Sequence, residues 1–174
     1  VKAGVFLLAR MYPALGGTSE WFWIVTLTGL ATLLVGAYLA IFEHDLKGLL
    51  AYSTISHLGL VTMLFGLDTK MAVVAGVFHI LNHATFKASL FMSAGIIDHE
   101  TGSRDMRRLN GLWKSMPITG ALGMVAAASM AGVPLLNGFL SKEMFFAETL
   151  ERGSGWALGI GLPLAATIAG IFSV

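Results

Sequence analysis

The chain has 174 residues, 56% of them hydrophobic and 12% charged, whereas ordinary soluble domains carry about 25% charged residues. That deficit places it in the membrane class, and a net charge of +1 gives no basis for nucleic-acid binding. Cysteine is absent, which excludes disulfides and cysteine-ligated metal or iron–sulfur sites in this segment.

Val1 to Leu8 reads as the tail of a spanning helix that carries Lys2 and is ended at the interface by Arg10, Tyr12 and Pro13. The run is apolar from its first residue and shows no signal-peptide pattern, so a fragment with its natural N-terminus upstream is expected. Gly16 to Glu20 reads as a turn. Trp21, Phe22 and Trp23 form an aromatic belt, with Trp21, Trp23 and Trp113 expected as interface anchors. Ile24 to Phe42 contains no charge and, with the belt, is long enough to span. Glu43-His44-Asp45 is a polar loop. Leu46 to Gly66 is a second, wetter span holding Lys47, Tyr52, Ser53, Thr54, Ser56 and His57. Asp68-Thr69-Lys70 closes that hairpin.

Met71 to Ile97 is a third span with a polar column inside it. His79, His83 and Lys87 recur every four residues and stack on one helical face, with Asn82 beside them. The column covers roughly 12 Å. Ionisable residues within a span are functional by default, and Lys87 lies too deep to reach either surface without a bilayer defect. The column therefore reads as a proton or cation relay: histidine titrates near neutrality, and water can bridge groups about one helical turn apart. Haem or metal ligation by His57, His79 and His83 is a competing reading, because an i, i+4 histidine pair suits a metal. Against it, no carboxylate or cysteine within these spans completes a shell, and a lysine one turn on repels a cation. Quinone contact by a histidine is equally disfavoured.

Asp98 to Ser115 is the longest hydrophilic connection. Met116 to Leu140 is apolar but interrupted, because Gly132-Val133-Pro134 and Asn137-Gly138 both break a helix. Backbone groups freed in a bilayer need partners in protein or water. The break, with Lys142 just beyond it, therefore reads as facing a cavity. Phe139 to Leu150 would be the second half of the helix. Taken singly, Lys2, Lys47 and Lys142 read equally well as helix-end lysines. Arg152 to Gly155 is a turn, and Trp156 to Val174 a last span. Gly29 and Gly36, or Gly155 and Gly159, suit close helix packing. Counting Lys and Arg in alternate loops sets Lys47, Arg104, Arg107, Arg108 and Lys114 against Arg10, Lys70, Arg152 and Lys142. That balance predicts cytoplasmic loops at 43–47 and 98–115.

Three motifs together resemble a known family: Asp45-Leu46-Lys47-Gly48-Leu49-Leu50-Ala51-Tyr52-Ser53-Thr54-Ile55-Ser56-His57, the column from His79 to Lys87, and Gly132 to Glu143. The family is the antiporter-like subunits of respiratory complex I, membrane hydrogenases and Mrp-type cation/proton antiporters. Gly95 to Gly102 with Arg104-Asp105 looks most like the large A-type subunit of Mrp antiporters. The resemblance implies an all-α, polytopic transmembrane bundle forming one membrane domain over 1–174. This would be the second of two inverted repeats, with one discontinuous helix at about 116–150. It implies a half-channel in which Lys2 links to the other half, Lys87 is the central lysine with His79 and His83 as relay partners, Lys47 intervenes and Lys142 is terminal. Many relatives carry glutamate at that terminal position, so Lys142 narrows the subtype to the large subunits. On this view protons enter by the Lys47/His57 region or the column, pass Lys87 and leave by Lys142. Lipid, protons, Na+ or K+ and other membrane subunits are the expected partners, in a cell (inner) membrane, with no cofactor. A redox-driven complex I or hydrogenase subunit is the near alternative. A haem-binding redox subunit or a structural anchor is the distant one.

Overall fold

The computed structural model describes residues 2–67 and 69–151. The turn read at Arg152–Gly155, the span at Trp156–Val174, the Gly155/Gly159 pair and Asp68 lie outside the described residues. Within them the chain is helical: α1 Ala3–Leu15, α2 Ser19–Ile41, α3 Leu46–Gly66, α4 Lys70–Thr101, α5 Leu112–Ser115, α6 Pro117–Ala131 and α7 Asn137–Glu151. Short polar side chains start the three long helices. Thr18 accepts from Trp21 N (3.3 Å), Asp45 from Gly48 N (2.8 Å) and Thr69 from Ala72 N (3.0 Å), each satisfying a donor that the first helical turn leaves open.

Three boundaries differ from those expected. α1 runs through Arg10, Tyr12 and Pro13 to Leu15, because a proline in the last turn removes only one intrahelical bond. α2 takes in Ser19 and Glu20, leaving Gly16 to Thr18 as the turn. α4 continues past Ile97 to Thr101, since nothing breaks it before Gly102, which adopts the left-handed conformation (φ 67°) and caps it.

α2 and α3 are long and apolar enough to cross a membrane, and they pack antiparallel through glycine. A Cβ on Gly36 would lie 2.7 Å from Ser56 N, and Gly29 and Gly59 meet the backbones of Met63 and Leu33. Ser56 Oγ donates to Leu33 O (3.0 Å), adding a polar tie to the seam. Trp21 is a correction to the anchor reading. It is buried, and its indole N–H donates to Phe65 O at 3.0 Å, tying α2 to the end of α3. Trp23 and Trp113 remain exposed. α4 packs on the other side of α3 and carries α6 and α7, while α1 lies on α3. The apolar core gathers Leu33, Leu60, Met63, Phe65, Ala72 and Phe145.

α6 and α7 form one interrupted crossing. Gly132 (φ 86°) and Leu135 (φ 78°) make the break, and Pro134 stands between them. Asn137 and Gly138, expected to break the helix, instead begin α7. Their place is set by packing: a Cβ on Gly138 would collide with the Ser129 carbonyl, so only glycine lets the two halves approach this closely.

The loops at 42–45 and 102–111 meet at one end of the bundle. Leu46 N donates to Arg104 O and Met106 N to His44 O, both at 3.0 Å, around an isolated bridge between Asp45 and Asp105. Arg107 forks onto Asp105 (3.0 and 2.8 Å), and Arg104 lies 3.4 Å from Asp45.

Two outcomes follow from this packing. Gly36→Leu forces α2 off Ser56 and is expected to destabilise by about 1–3 kcal/mol, read as a lower melting temperature of purified protein; an unchanged melting point would show the seam is loose. The side-chain and backbone N–H groups of Arg107 hold the Asp105 carboxyl down at about 2. Its contribution is therefore complete above the ordinary carboxyl value of 3.8 and fades as pH falls toward 2. Amide protection at Leu46 and Met106 should drop across that window, and protection unchanged at about pH 2.5 would contradict the linkage.

Candidate functional site

The polar column is assembled by four helices. α4 presents His79, Asn82, His83 and Lys87 on its buried face, with exposures of 1%, 8%, 2% and 4%. α3 brings Ser53 and His57 against it, and α7 brings Ser141. α6 closes the group through Ser129, which meets the start of α7. Lys87 Nζ donates to Leu50 O (3.2 Å) and to Ser53 Oγ. Both acceptors are neutral oxygens, one of them a carbonyl in the first turns of α3.

One turn further, the imidazoles meet. His57 Nδ1 and His79 Nε2 are 3.0 Å apart, with the rings stacked at 5.2 Å and 15°. His83 completes the group, 5.2 Å from the His57 ring and 6.1 Å from that of His79. His79 Nδ1 faces Ser141 Oγ at 3.1 Å, and that hydroxyl donates to Gly138 O at 3.0 Å. With the Ser141 proton committed to Gly138, His79 must donate from Nδ1. Its Nε2 is then the acceptor for an N–H on His57 Nδ1. The hydrogen bonds thus run in one direction, His57 to His79 to Ser141 to Gly138. The far nitrogen of His57 and both nitrogens of His83 are buried with no hydrogen-bond partner among the described residues.

Two further lysines flank the column. Lys2 Nζ donates to Ile80 O (3.3 Å), within α4 itself. Lys142 Nζ donates to Ala131 O (3.0 Å), a carbonyl that the end of α6 leaves open. A Cβ on Gly132 would lie 2.9 Å from Lys142 Cδ, so the glycine makes room for the lysine stem. Asn82 fastens α4 to the break: its amide donates to Asn137 O (3.1 Å) and accepts from Asn137 Nδ2 (3.3 Å). Ser129 Oγ donates to Asn137 Oδ1.

The fold thus brings together Lys87, His57, His79 and His83, with Lys2 and Lys142 at their flanks. It does not bring Lys47 there. Lys47 sits in the first turn of α3, ion-paired with Asp98 at 2.7 Å, about 15 Å along the axis from His57. A single Lys47/His57 region is therefore not what the helices form. Ser141 and Ser129 have site contacts that sequence reasoning did not single out. Ser141 had one available signal, since it stands next to Lys142 directly after the break.

Residues 1–168 match the family model described as NADH:quinone oxidoreductase/Mrp antiporter, TM. The chain is 68% identical over 174 residues to the A/B subunit of a probable K(+)/H(+) antiporter of Rhizobium meliloti, covering 100% of this chain and 17% of that protein. It is 47% identical over 192 residues to the A-type subunit of the Na(+)/H(+) antiporter of Alkalihalophilus pseudofirmus, covering 99% of this chain and 24% of that one. Among solved structures it is similar to a chain of the Mrp complex from Dietzia sp. (TM-score 0.93, 44% identity, 99% of this chain and 19% of that chain). It is also similar to one in the membrane-bound sulfane sulfur reductase, an archaeal respiratory membrane complex (TM-score 0.86, 28% identity, 99% and 36%). The chain spans less than a quarter of the length of these two antiporter relatives.

Asn137→Ala removes the side-chain clasp between α4, α6 and α7 and leaves the Asn82 carbonyl oxygen and Ser129 hydroxyl unmet. A loss of about 1–3 kcal/mol is expected, with faster proteolysis at 132–136. A melting temperature and a cleavage rate equal to the parent's would show that the clasp does not hold the break.

Proposed function

This chain belongs to the membrane family shared by NADH:quinone oxidoreductases and Mrp antiporters, and on that footing we propose that it forms one half-channel of a proton-coupled monovalent-cation antiporter. The observation that carries the reading is the buried hydrogen-bonded run from His57 through His79 to Ser141, with Lys87 beside it and the helix break alongside. An unsatisfied imidazole nitrogen at one end of a directional chain is where a proton can be accepted. If His57 takes a proton at its far nitrogen and its Nδ1–H passes to His79 Nε2, the positive charge moves to a His79 imidazolium that still donates from Nδ1 to Ser141. Lys87 supplies a mobile positive charge held only by neutral oxygens. Its gain or loss of a proton changes the field at the histidines without first breaking an ion pair. Lys142, at the break, is the next charge along, and Lys2 connects to the part of the subunit that precedes this segment.

Residues 1–174 then act as a single membrane domain, the second of two inverted repeats, inside a larger subunit that works with other membrane subunits. Cation/proton exchange of the Mrp type is favoured over a redox-driven complex by the Na(+)/H(+) and K(+)/H(+) antiporter relatives and by the higher likeness to the Mrp complex chain. Na+ or K+ is the exchanged cation, and the segment acts as transporter rather than enzyme. The basic residues at 104–108 and Lys47 gather at one end of the bundle with the 42–45 loop, which supports a cytoplasmic position for 43–47 and 98–115.

In the full subunit, joined to its partners, Lys87→Ala is expected to reduce cation-driven proton movement in everted membrane vesicles to background while complex assembly is retained. Near-normal transport at near-normal expression would remove Lys87 from the mechanism.

A further inference from the structure

Among the described residues, two oxygens meet the Lys87 amine: Leu50 O at 3.2 Å and Ser53 Oγ. They differ in kind. A carbonyl oxygen only accepts hydrogen bonds, whereas a hydroxyl both accepts and donates. Ser53 is itself buried, 8% exposed, and its hydroxyl donates to the same Leu50 O at 3.2 Å. Lys87, Ser53 and Leu50 thus close a ring of three groups, with Leu50 O receiving from both of the others. Serine hydroxyls in helices commonly bond a carbonyl one turn back, and that habit accounts for the bond from Ser53 to Leu50. It does not account for the hydroxyl oxygen lying on an amine of the facing helix.

The chemistry of the amine supplies a reason. A charged lysine has three N–H donors and no acceptor. Once a proton is lost, two N–H groups remain beside a lone pair that calls for a donor. The contacts fit the charged form directly. One N–H goes to Leu50 O, one to Ser53 Oγ, and the Ser53 O–H goes to Leu50 O. The neutral form fits the same three groups after two bond rotations. A turn about Cε–Nζ points the lone pair at Ser53, and a turn about Cβ–Oγ swings the hydroxyl proton from Leu50 O onto that lone pair. An N–H of the amine still reaches Leu50 O. No heavy atom has to move, and each state keeps two bonds to the amine, as buried polar groups require.

We infer that Ser53 is a positioning residue for Lys87 that serves it in both protonation states, accepting from the ammonium and donating to the free amine. The charge on Lys87 can then change while the lysine stays in place. The inference rests on the half-channel reading above, in which Lys87 gains and loses a proton. Ser53 keeps its own proton throughout: its O–H bond turns and is not broken, and the proton exchanged is the lysine's. Without the hydroxyl, the ammonium loses one of its two oxygens and the free amine buries an unmet lone pair. Both states are then less well held, so the change between them slows.

The rival account is that Ser53 merely ties α3 to α4. Ser53→Asp separates the two, because a carboxylate still accepts from the ammonium but has no proton to give the free amine. A tie is kept or strengthened by that change, whereas a two-way partner is lost. In the full subunit complex, in everted vesicles challenged with NaCl or KCl, Ser53→Asp should assemble and lose transport to background. Ser53→Ala should assemble and lower the maximal rate by about tenfold to a hundredfold, with the cation concentration for half-maximal rate unchanged. Ser53→Thr, which keeps the hydroxyl, should recover more of the rate than the alanine variant. Transport by Ser53→Asp or Ser53→Ala at the parent's rate would overturn the inference. A fall in the Ser53→Ala rate matched by an equal loss of assembled complex would overturn it too, by making the contact structural. Lys87→Ala in the same assay keeps the two readings apart. If it is inactive while both Ser53 variants transport at the parent's rate, the half-channel stands and only the role of Ser53 falls. If it is active, the half-channel reading itself falls.

Discussion

An ammonium group inside an apolar bundle must be met by oxygen atoms, and the way Lys87 is met sets the register of the site. Its acceptors, Leu50 O and Ser53 Oγ, both belong to α3. Holding them in reach fixes how far α4 slides along α3. That register then places His57 opposite His79 and beside His83. A shift of one residue along either helix would swing each side chain by about 100° and separate the imidazoles. The cost of an unmet buried amine is thus what aligns the proton-bearing groups.

α3 can serve this role because its opposite face is spent on α2. Gly29, Gly36 and Gly59 bring the two backbones together with no side chains between them, so α3 is a fixed wall. On the far side of α4 the constraint is of another kind. The end of α6 opens carbonyls into the protein interior, and the break is tolerated because they find donors: Lys142 meets Ala131 O, and the Asn137 side chain links Ser129 to Asn82. The interruption that looks costly in isolation therefore supplies the surface on which Ser141 reaches His79.

The lysines divide by the charge of their partners. Lys47 faces Asp98, with Arg104 close by, at the half-exposed end of the bundle. Such an ion pair organises the loops. Among the described residues, Lys87 and Lys2 face carbonyls and a hydroxyl. Neutral acceptors hold a charged amine without demanding that it stay charged. The same contrast separates Asp105, forked by Arg107, from Glu148, which meets a threonine.

Much of this was written in the linear chain. A run without charge marked α2 and a wetter apolar run marked α3, the four-residue spacing of His79, His83 and Lys87 put them on one face, and Gly132 with Pro134 marked the interruption. These depend on periodicity and backbone chemistry, which neighbouring residues carry by themselves. Other features depended on what stands across a helix interface. Trp21 reads as an interface anchor until Phe65 O is found to accept its N–H. Asn137 and Gly138 read as breakers until the second half-helix is seen to need them against Asn82 and Ser129. Lys47 reads as a relay partner of His57 until Asp98 claims it. The sequence by itself determined which helix faces are polar and where the backbone is interrupted. Only the tertiary structure decided which polar groups meet, because a hydrogen bond between helices depends on their register and rotation, and these are set by contacts between residues far apart in the chain.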